Sequence, residues 1–188
     1  MTADKFNAGA TQEFGQPLPG FSLLLLNGRD PRTLQDYLTH KMGAVIIFWS
    51  AVCAHCRRYD EYFNSFATLH SQLGFAVIAS RSGETPSQMQ SAARQRRLVF
   101  PVLLDQSGEV ARRWHAQQTP RSYLMAPDGR LVYRGAIDNF KLPADEGYIA
   151  FLEPAIRSYL AGQPITKVET ASFGCAIETA YYHLPRQL

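Results

Sequence analysis

The chain predicts an α/β fold, a mixed central sheet with helices on both faces. Three observations carry this. Two wholly apolar runs, Ala44–Trp49 and Phe75–Ala79, have the length and composition of strands buried on both sides. Stretches with helical spacing and helix punctuation alternate with such strands. Further on, two short apolar runs flank Pro127-Asp128-Gly129, the pattern of an antiparallel hairpin. The alternation calls for parallel strands joined by crossover helices, and the hairpin adds antiparallel ones.

Taken in order, Met1–Pro19 is polar, punctuated by glycine and proline, and reads as a loosely held leader. Phe21–Leu26 reads as a strand closed by the turn Asn27-Gly28. Asp30-Pro31 offers a cap and a first-turn proline for a short helix to about His40. The buried strand Ala44–Trp49 leads into a helix over Ala54–Leu73, with Tyr59, Tyr62, Phe63, Phe66 and Leu69 on its apolar face and Gly74 as its stop. After Phe75–Ala79, Thr85-Pro86 opens a helix to about Arg97. Val102–Leu104 is a short strand and Ser107–His115 a short helix, and the hairpin arms are Ser122–Met125 and Leu131–Arg134. Asp145–Leu160 is the last helix, with Pro154 kinking or restarting its first turn. The organisation expected is a leader (1–19), one domain (20–162) and a tail (163–188) that carries Cys175.

At 188 residues with 46% hydrophobic content, the chain can bury one substantial core. Its 19 basic and 16 acidic residues leave a net charge of +3, too little to argue for nucleic acid. Arg94-Gln95-Arg96-Arg97 reads as a helix end, where the dipole favours cations. No run is long and apolar enough to span a bilayer, and no signal peptide precedes the strands. The expectation is a cytoplasmic protein as given, or an envelope protein if a leader has been removed. Nothing resembles a phosphate-cradling glycine loop, so no nucleotide or flavin cofactor is expected, and no metal. Three cysteines are too few for a disulfide scaffold and look chemical instead, and the odd number leaves Cys175 outside any Cys53–Cys56 pair.

Cys53-Ala54-His55-Cys56 lies where the apolar run gives way to the helical stretch. Two cysteines so spaced at a helix start can form and break a disulfide with little backbone movement. The unpaired N–H groups and partial positive charge there favour a thiolate on Cys53. A C-x-x-C alone equally suits half of a zinc site, but its place at a strand-to-helix junction makes it a redox signal.

This order of elements, with C-x-x-C after the first buried strand, resembles the thioredoxin fold over roughly Pro17–Gly162. Phe48-Trp49-Ser50-Ala51-Val52-Cys53-Ala54-His55-Cys56 is similar to the F-W-A-x-W-C-x-x-C of thioredoxin-like reductases of the bacterial envelope. Those proteins, the cytochrome c maturation type among them, insert a strand–helix unit that Phe75–Arg97 resembles. Thr119-Pro120 and the ten residues after it, Arg121–Arg130, resemble the family's segment with a cis proline. The resemblance implies a three-layer thioredoxin-like fold with Cys53 as an exposed nucleophile and Cys56 as its buried resolving partner. It implies that Trp49 and His55 tune the pair, and that Thr119 and Pro120 form a docking edge for an extended substrate chain. An imidazole at His55 would stabilise the thiolate and make the disulfide more oxidising; otherwise it is a surface histidine. Glu84 resembles a glutamate that these reductases hold near the dithiol, where desolvation would suit it to acid–base work; the alternative is a cap for the next helix.

Two departures stand out. Ile47 replaces the buried aspartate that relays the resolving cysteine's proton in thioredoxins, and Val52 replaces a tryptophan, leaving less aromatic cover over Cys53. The tail segment Glu169-Thr170-Ala171-Ser172-Phe173-Gly174-Cys175-Ala176-Ile177 resembles an E-T-x-x-x-G-C-x-I motif of a peroxiredoxin-like branch of the fold. Cys175 either folds back as a third redox cysteine or packs as a small apolar residue.

The function expected is a monomeric thiol–disulfide oxidoreductase acting through this dithiol. Its partners would be protein dithiols and disulfides, one of which supplies or takes the electrons, with no nucleic acid and no membrane span. A thiol peroxidase is the alternative: Ser50 has the right offset and Arg121 could supply charge, but Ile46 occupies the proline position and Cys56 is not a peroxidase feature. A thiolate metal carrier using Cys53, Cys56 and His55 or His115 is a third reading, without a second C-x-x-C or a spaced histidine pair to complete it.

Overall fold

The computed structural model describes residues 13–177. In chain order the elements begin with β1 (Ser22–Leu25), β2 (Pro31–Thr33), α1 (Leu34–Leu38), β3 (Ala44–Trp49), α2 (Ala54–Arg57) and α3 (Asp60–Leu69). There follow β4 (Gly74–Ala79), α4 (Pro86–Gln95), β5 (Val102–Leu104), α5 (Glu109–Arg113) and β6 (Gln118–Thr119). The last are β7 (Arg121–Met125), β8 (Leu131–Gly135), α6 (Leu152–Leu160) and β9 (Cys175–Ala176). Seven strands form one mixed sheet in the order β2-β1-β5-β4-β3-β7-β8, and β6 and β9 form a separate two-stranded pair.

The apolar runs become the sheet's centre. β3 and β4 run parallel, from Ala44 opposite Gly74 to Trp49 opposite Ala79, and every residue of both is buried. Period-two alternation then divides the core in two. Val45, Ile47 and Trp49 face the layer built on α2, α3, α4 and α6, whereas Ala44, Ile46 and Phe48 face the layer built on α1 and α5. The cysteines of α2 belong to the first layer, which contains a cluster of aromatic rings with Phe66 stacked on Phe75 at 4.2 Å. The fold is the expected α/β arrangement.

Several local expectations are corrected. Pro31 does not start a helix but pairs with Leu24 on the outermost strand, where a missing N–H is tolerated. The helix begins at Leu34 instead, with the Thr33 amide donating to Asp36 at 2.7 Å. The stretch Ala54–Leu73 is two helices rather than one. Arg58 and Tyr59, at the break, are held by the loop after β8, with Tyr59 donating to Asp138 at 2.7 Å and Arg58 to the Phe140 carbonyl at 2.7 Å. Gly74 is no helix stop but the first residue of β4, where a Cβ would stand 1.9 Å from the Tyr37 carbonyl oxygen. The last helix starts at Leu152, not Asp145, and Pro154 lies in its first turn, where its absent N–H leaves no bond unmade.

The first and last described segments are both attached to the sheet. Leu131 exchanges hydrogen bonds with Gly15 and Gln16, each at 3.0 Å, and Leu18 is buried. On the same strand, the Arg134 amide donates to Val168 at 2.9 Å and its carbonyl accepts from Thr170 at 3.1 Å. The tail then crosses to place β9 antiparallel to β6, with Thr119 opposite Cys175.

Candidate active site

Cys53 is the N-cap of α2, and its carbonyl accepts from the Cys56 amide at 3.1 Å and the Arg57 amide at 3.2 Å. The strand β3 ends at Trp49, and a tight turn (Cys53 N–H to Ser50 carbonyl, 3.3 Å) swings the chain into the helix. That turn brings Cys53 to the loop at Thr119-Pro120, whose peptide bond is cis, and Sγ lies 3.3 Å from the Thr119 carbonyl oxygen. All three cysteines are free thiols.

The electrostatics separate the thiols. A hydrogen bond from Cys56 is the chief reason that the Cys53 thiol falls well below the usual range, with further help from Cys175 and Thr119 against the opposing effect of burial. Burial, then the hydrogen bond to Cys53 and its charge, drives Cys56 the other way. The Sγ contact to the Thr119 carbonyl therefore belongs to the thiol form, and the thiolate accepts from its sulfur neighbours instead. Cys175 is also raised, by burial first and then by Cys53, while Arg81 pulls it down through charge and a hydrogen bond.

The turn ahead of Cys53 is clamped from two sides. The Ala51 amide donates to Glu84 Oε1 at 2.5 Å, and the Ala51 carbonyl accepts from Arg96 Nη1 at 2.8 Å. Burial raises the Glu84 carboxyl above the usual range, against the pull of amides including those of Ala51 and Val52, and its Oε2 has no hydrogen-bond partner. Capping of α4 falls to Thr85, which accepts from the Gln88 amide at 3.3 Å, so the helix-cap reading of Glu84 is set aside. Arg96 also pairs with Asp60 and covers the Trp49 ring at 5.5 Å. Trp49 itself is fully buried, edge-on to Phe100. His55 packs against the Phe140 ring, centroids 4.6 Å apart, rather than standing free at the surface.

The expectation of an exposed Cys53 beside a buried Cys56 is corrected: their exposures are 1% and 0%. The tail strand lies on the Thr119 edge, and Cys175 packs against the core cluster that holds Cys53. Each residue of the tail motif has a physical task in reaching that place. Glu169 pairs with Arg134 at 2.8 Å and Arg121 at 3.5 Å. Thr170 Oγ1 accepts from the Ala136 amide at 3.0 Å, and Ser172 accepts from Arg121 at 3.3 Å. A Cβ on Gly174 would stand 1.9 Å from the Thr119 carbonyl oxygen, so only glycine permits this approach. Ile177 is buried, its amide donating to Gln117 at 2.8 Å.

Sequence reasoning missed Arg81, Arg96 and Asp60. Arg96 lies in a run that reads as a helix end, and its spacing from Trp49 gives no sign of the contact. Arg121, considered as a peroxide-polarising group, is engaged by Tyr123, Ser172 and Glu169. Among the described residues, no group of three or more His, Cys, Asp or Glu is arranged to hold a metal ion, and no helix is long and apolar enough to cross a membrane.

Comparison with known proteins agrees with this geometry. The chain is similar to the thiol-disulfide oxidoreductase ResA of Bacillus cereus, 27% identical over 127 residues that make up 68% of this chain and 72% of the relative. Among solved structures, a hypothetical protein of Sinorhizobium meliloti superposes with a TM-score of 0.75 at 26% identity, covering 89% of this chain and 94% of that one. A secreted Mycobacterium tuberculosis disulfide oxidoreductase homologous to E. coli DsbE matches with a TM-score of 0.51 at 26% identity, over 59% and 79% of the two chains. The AhpC/TSA family matches residues 14–134, from the segment paired to β8 through β8 itself, and with most of the chain so accounted for, this thioredoxin-like protein belongs to that family.

Proposed function

We propose that this thiol–disulfide oxidoreductase exchanges disulfides with protein substrates, using Cys53 as nucleophile and Cys56 as resolver. The observation that carries the assignment is the position of Cys53, which caps the helix that carries Cys56 and has its Sγ 3.3 Å from the Thr119 carbonyl oxygen. In the reducing direction the Cys53 thiolate attacks a substrate disulfide, forming a mixed disulfide and releasing one substrate thiolate. Cys56 then loses its proton and attacks Cys53 Sγ, so the second substrate thiol departs and a Cys53–Cys56 disulfide remains. The oxidising direction is the same sequence reversed.

The other residues support these steps. Thr119 and Pro120 offer an edge at which an extended chain can pair, and the pairing of β9 there supports that use. Glu84 positions the turn through Ala51, and its raised carboxyl suits proton exchange with the dithiol. His55 packs against Phe140, and Trp49 is buried against Phe100 and Arg96, whose guanidinium also holds the Ala51 carbonyl of the turn. The engagement of Arg121 weighs against the peroxidase alternative.

The test is thiol trapping with peptide mass spectrometry across a glutathione redox series, run on the full chain. A Cys53–Cys56 bond that forms and breaks with the glutathione ratio supports the assignment. Equal turnover of a model protein disulfide by wild type and Cys53→Ser would sink it.

A further inference from the structure

β9 is antiparallel to β6, in the place that the preceding section assigns to an extended substrate chain. Its cysteine is brought to the residue that the nucleophile touches: Thr119 lies opposite Cys175, its Oγ1 donates to the Cys175 carbonyl at 3.4 Å, and its carbonyl oxygen is 3.3 Å from Cys53 Sγ. The approach is built in, since the absent Cβ of Gly174 lets the tail backbone close on Thr119, and Glu169 and Thr170 fix the run-up to it. The charge of Arg81, in the loop after β4, offsets part of the rise that burial gives the Cys175 thiol. With this strand in place the nucleophile is 1% exposed, and Cys175 is the more accessible of the two.

We propose that the tail is a tethered stand-in for a substrate and that Cys175 is a third redox cysteine, exchanging with the Cys53–Cys56 disulfide to give a Cys53–Cys175 bond. The proposal rests on the dithiol reading of Cys53 and Cys56. In the exchange the Cys175 thiolate attacks Cys53 Sγ, the Cys53–Cys56 bond breaks, and its electron pair leaves on Cys56. Cys56 takes up one proton, matching the proton that Cys175 gave up. One disulfide and one thiol are present before and after, so no outside oxidant or reductant takes part. The disulfide thus moves from the buried pair to a sulfur nearer the surface, and a protein substrate must displace β9 to reach Cys53 directly.

The experiment uses the full chain carrying Cys56→Ser, with Cys56→Ala as a second form in case a hydroxyl disturbs the buried position. Each is treated with oxidised glutathione, and its disulfides are mapped by peptide mass spectrometry. Glutathione first joins Cys53; Cys175 then displaces it, so a linked Cys53–Cys175 peptide is the main product. Adding Gly174→Ala to the same background lowers that product several-fold by holding the tail off Thr119. A lasting glutathione adduct on Cys53, with Cys175 still open to alkylation, overturns the proposal. Wild type run in parallel separates the two readings. A reversible Cys53–Cys56 bond upholds the dithiol whatever Cys175 does, and its absence removes the dithiol reading and this proposal with it.

Discussion

Cys53 has a sulfur neighbour on each side, and the chain delivers the two by different means. Cys56 arrives within one turn of the helix that Cys53 caps, and its place follows from local backbone geometry. Cys175 arrives along a tail that crosses the edge of β8, is tied down at Glu169, Thr170 and Ser172, and passes Thr119 at a glycine. The inner neighbour is fully buried and the outer one partly open. A helical turn can be relied on wherever the helix forms, whereas the outer contact depends on every anchor of the tail. The inner pair should therefore survive changes that abolish the outer one.

The largest effect expected is from Cys53→Ser, which removes the sulfur common to both pairs and abolishes disulfide exchange in a model-substrate assay. Cys56→Ser comes next. Loss of an intramolecular resolving thiol leaves only bimolecular resolution, so turnover of a protein disulfide falls by about 100-fold or more and mixed disulfides accumulate on gels. Cys175→Ser should leave that turnover within about tenfold of wild type, because the Cys56 route remains intact. Equal losses for the two variants would erase the distinction between inner and outer neighbours.

Gly135→Ala sharpens the comparison through stability. A Cβ there would stand 2.1 Å from Thr170 Oγ1 and under 3 Å from Thr170 backbone atoms, so the tail must shift. Overpacking of this kind costs about 1–3 kcal/mol, measurable by urea denaturation, and the α2 turn is not involved. A pH titration gives a smaller effect. Because the Cys53 thiol lies below the usual range, its alkylation rate holds steady as pH falls through 8 and 7, where an ordinary thiol, with a pKa near about 8.5, loses reactivity. Cys56→Ala raises the midpoint of that profile more than Cys175→Ala does, since Cys56 is the principal hydrogen-bond donor to the thiolate. The smallest change is expected from Glu84→Gln, which keeps an acceptor for the Ala51 amide but removes a titrating group. Its signature is loss of the acid-side limb that protonation of Glu84 gives the resolution step, with the folded stability little altered.

What could be read from the sequence follows the same division between local and distant. Ala44–Trp49, Cys53–Cys56 and Thr119-Pro120 announce themselves because strand burial, helix capping and a proline loop are written in consecutive residues. The break at Arg58-Tyr59 was hidden, since its cause is Asp138, on a loop about 80 residues downstream. Pro31 misled for a related reason: a proline after aspartate suits a helix start and an outer strand alike, and the pairing with Leu24 decides between them. The pairing of the tail with Thr119 is also out of reach, because the two segments are remote in sequence. Gly174 beside Cys175 was the available sign. A glycine next to a chemically active residue often marks close backbone approach, and here the tail passes the Thr119 carbonyl at that point.

The attachment of the segments at Gly15-Gln16 and Val168–Thr170 to β8 also bears on how copies of the protein meet. An outer strand with free amides and carbonyls is a template for another chain, and long flat edges invite association. On β8 the outward groups of Leu131 are taken by Gly15 and Gln16 and those of Arg134 by Val168 and Thr170. At the opposite margin β2 has only three residues and begins with a proline. Among the described residues neither margin presents a long unpaired ladder, so a variant that frees the tail should be watched for aggregation as well as for altered thiol chemistry.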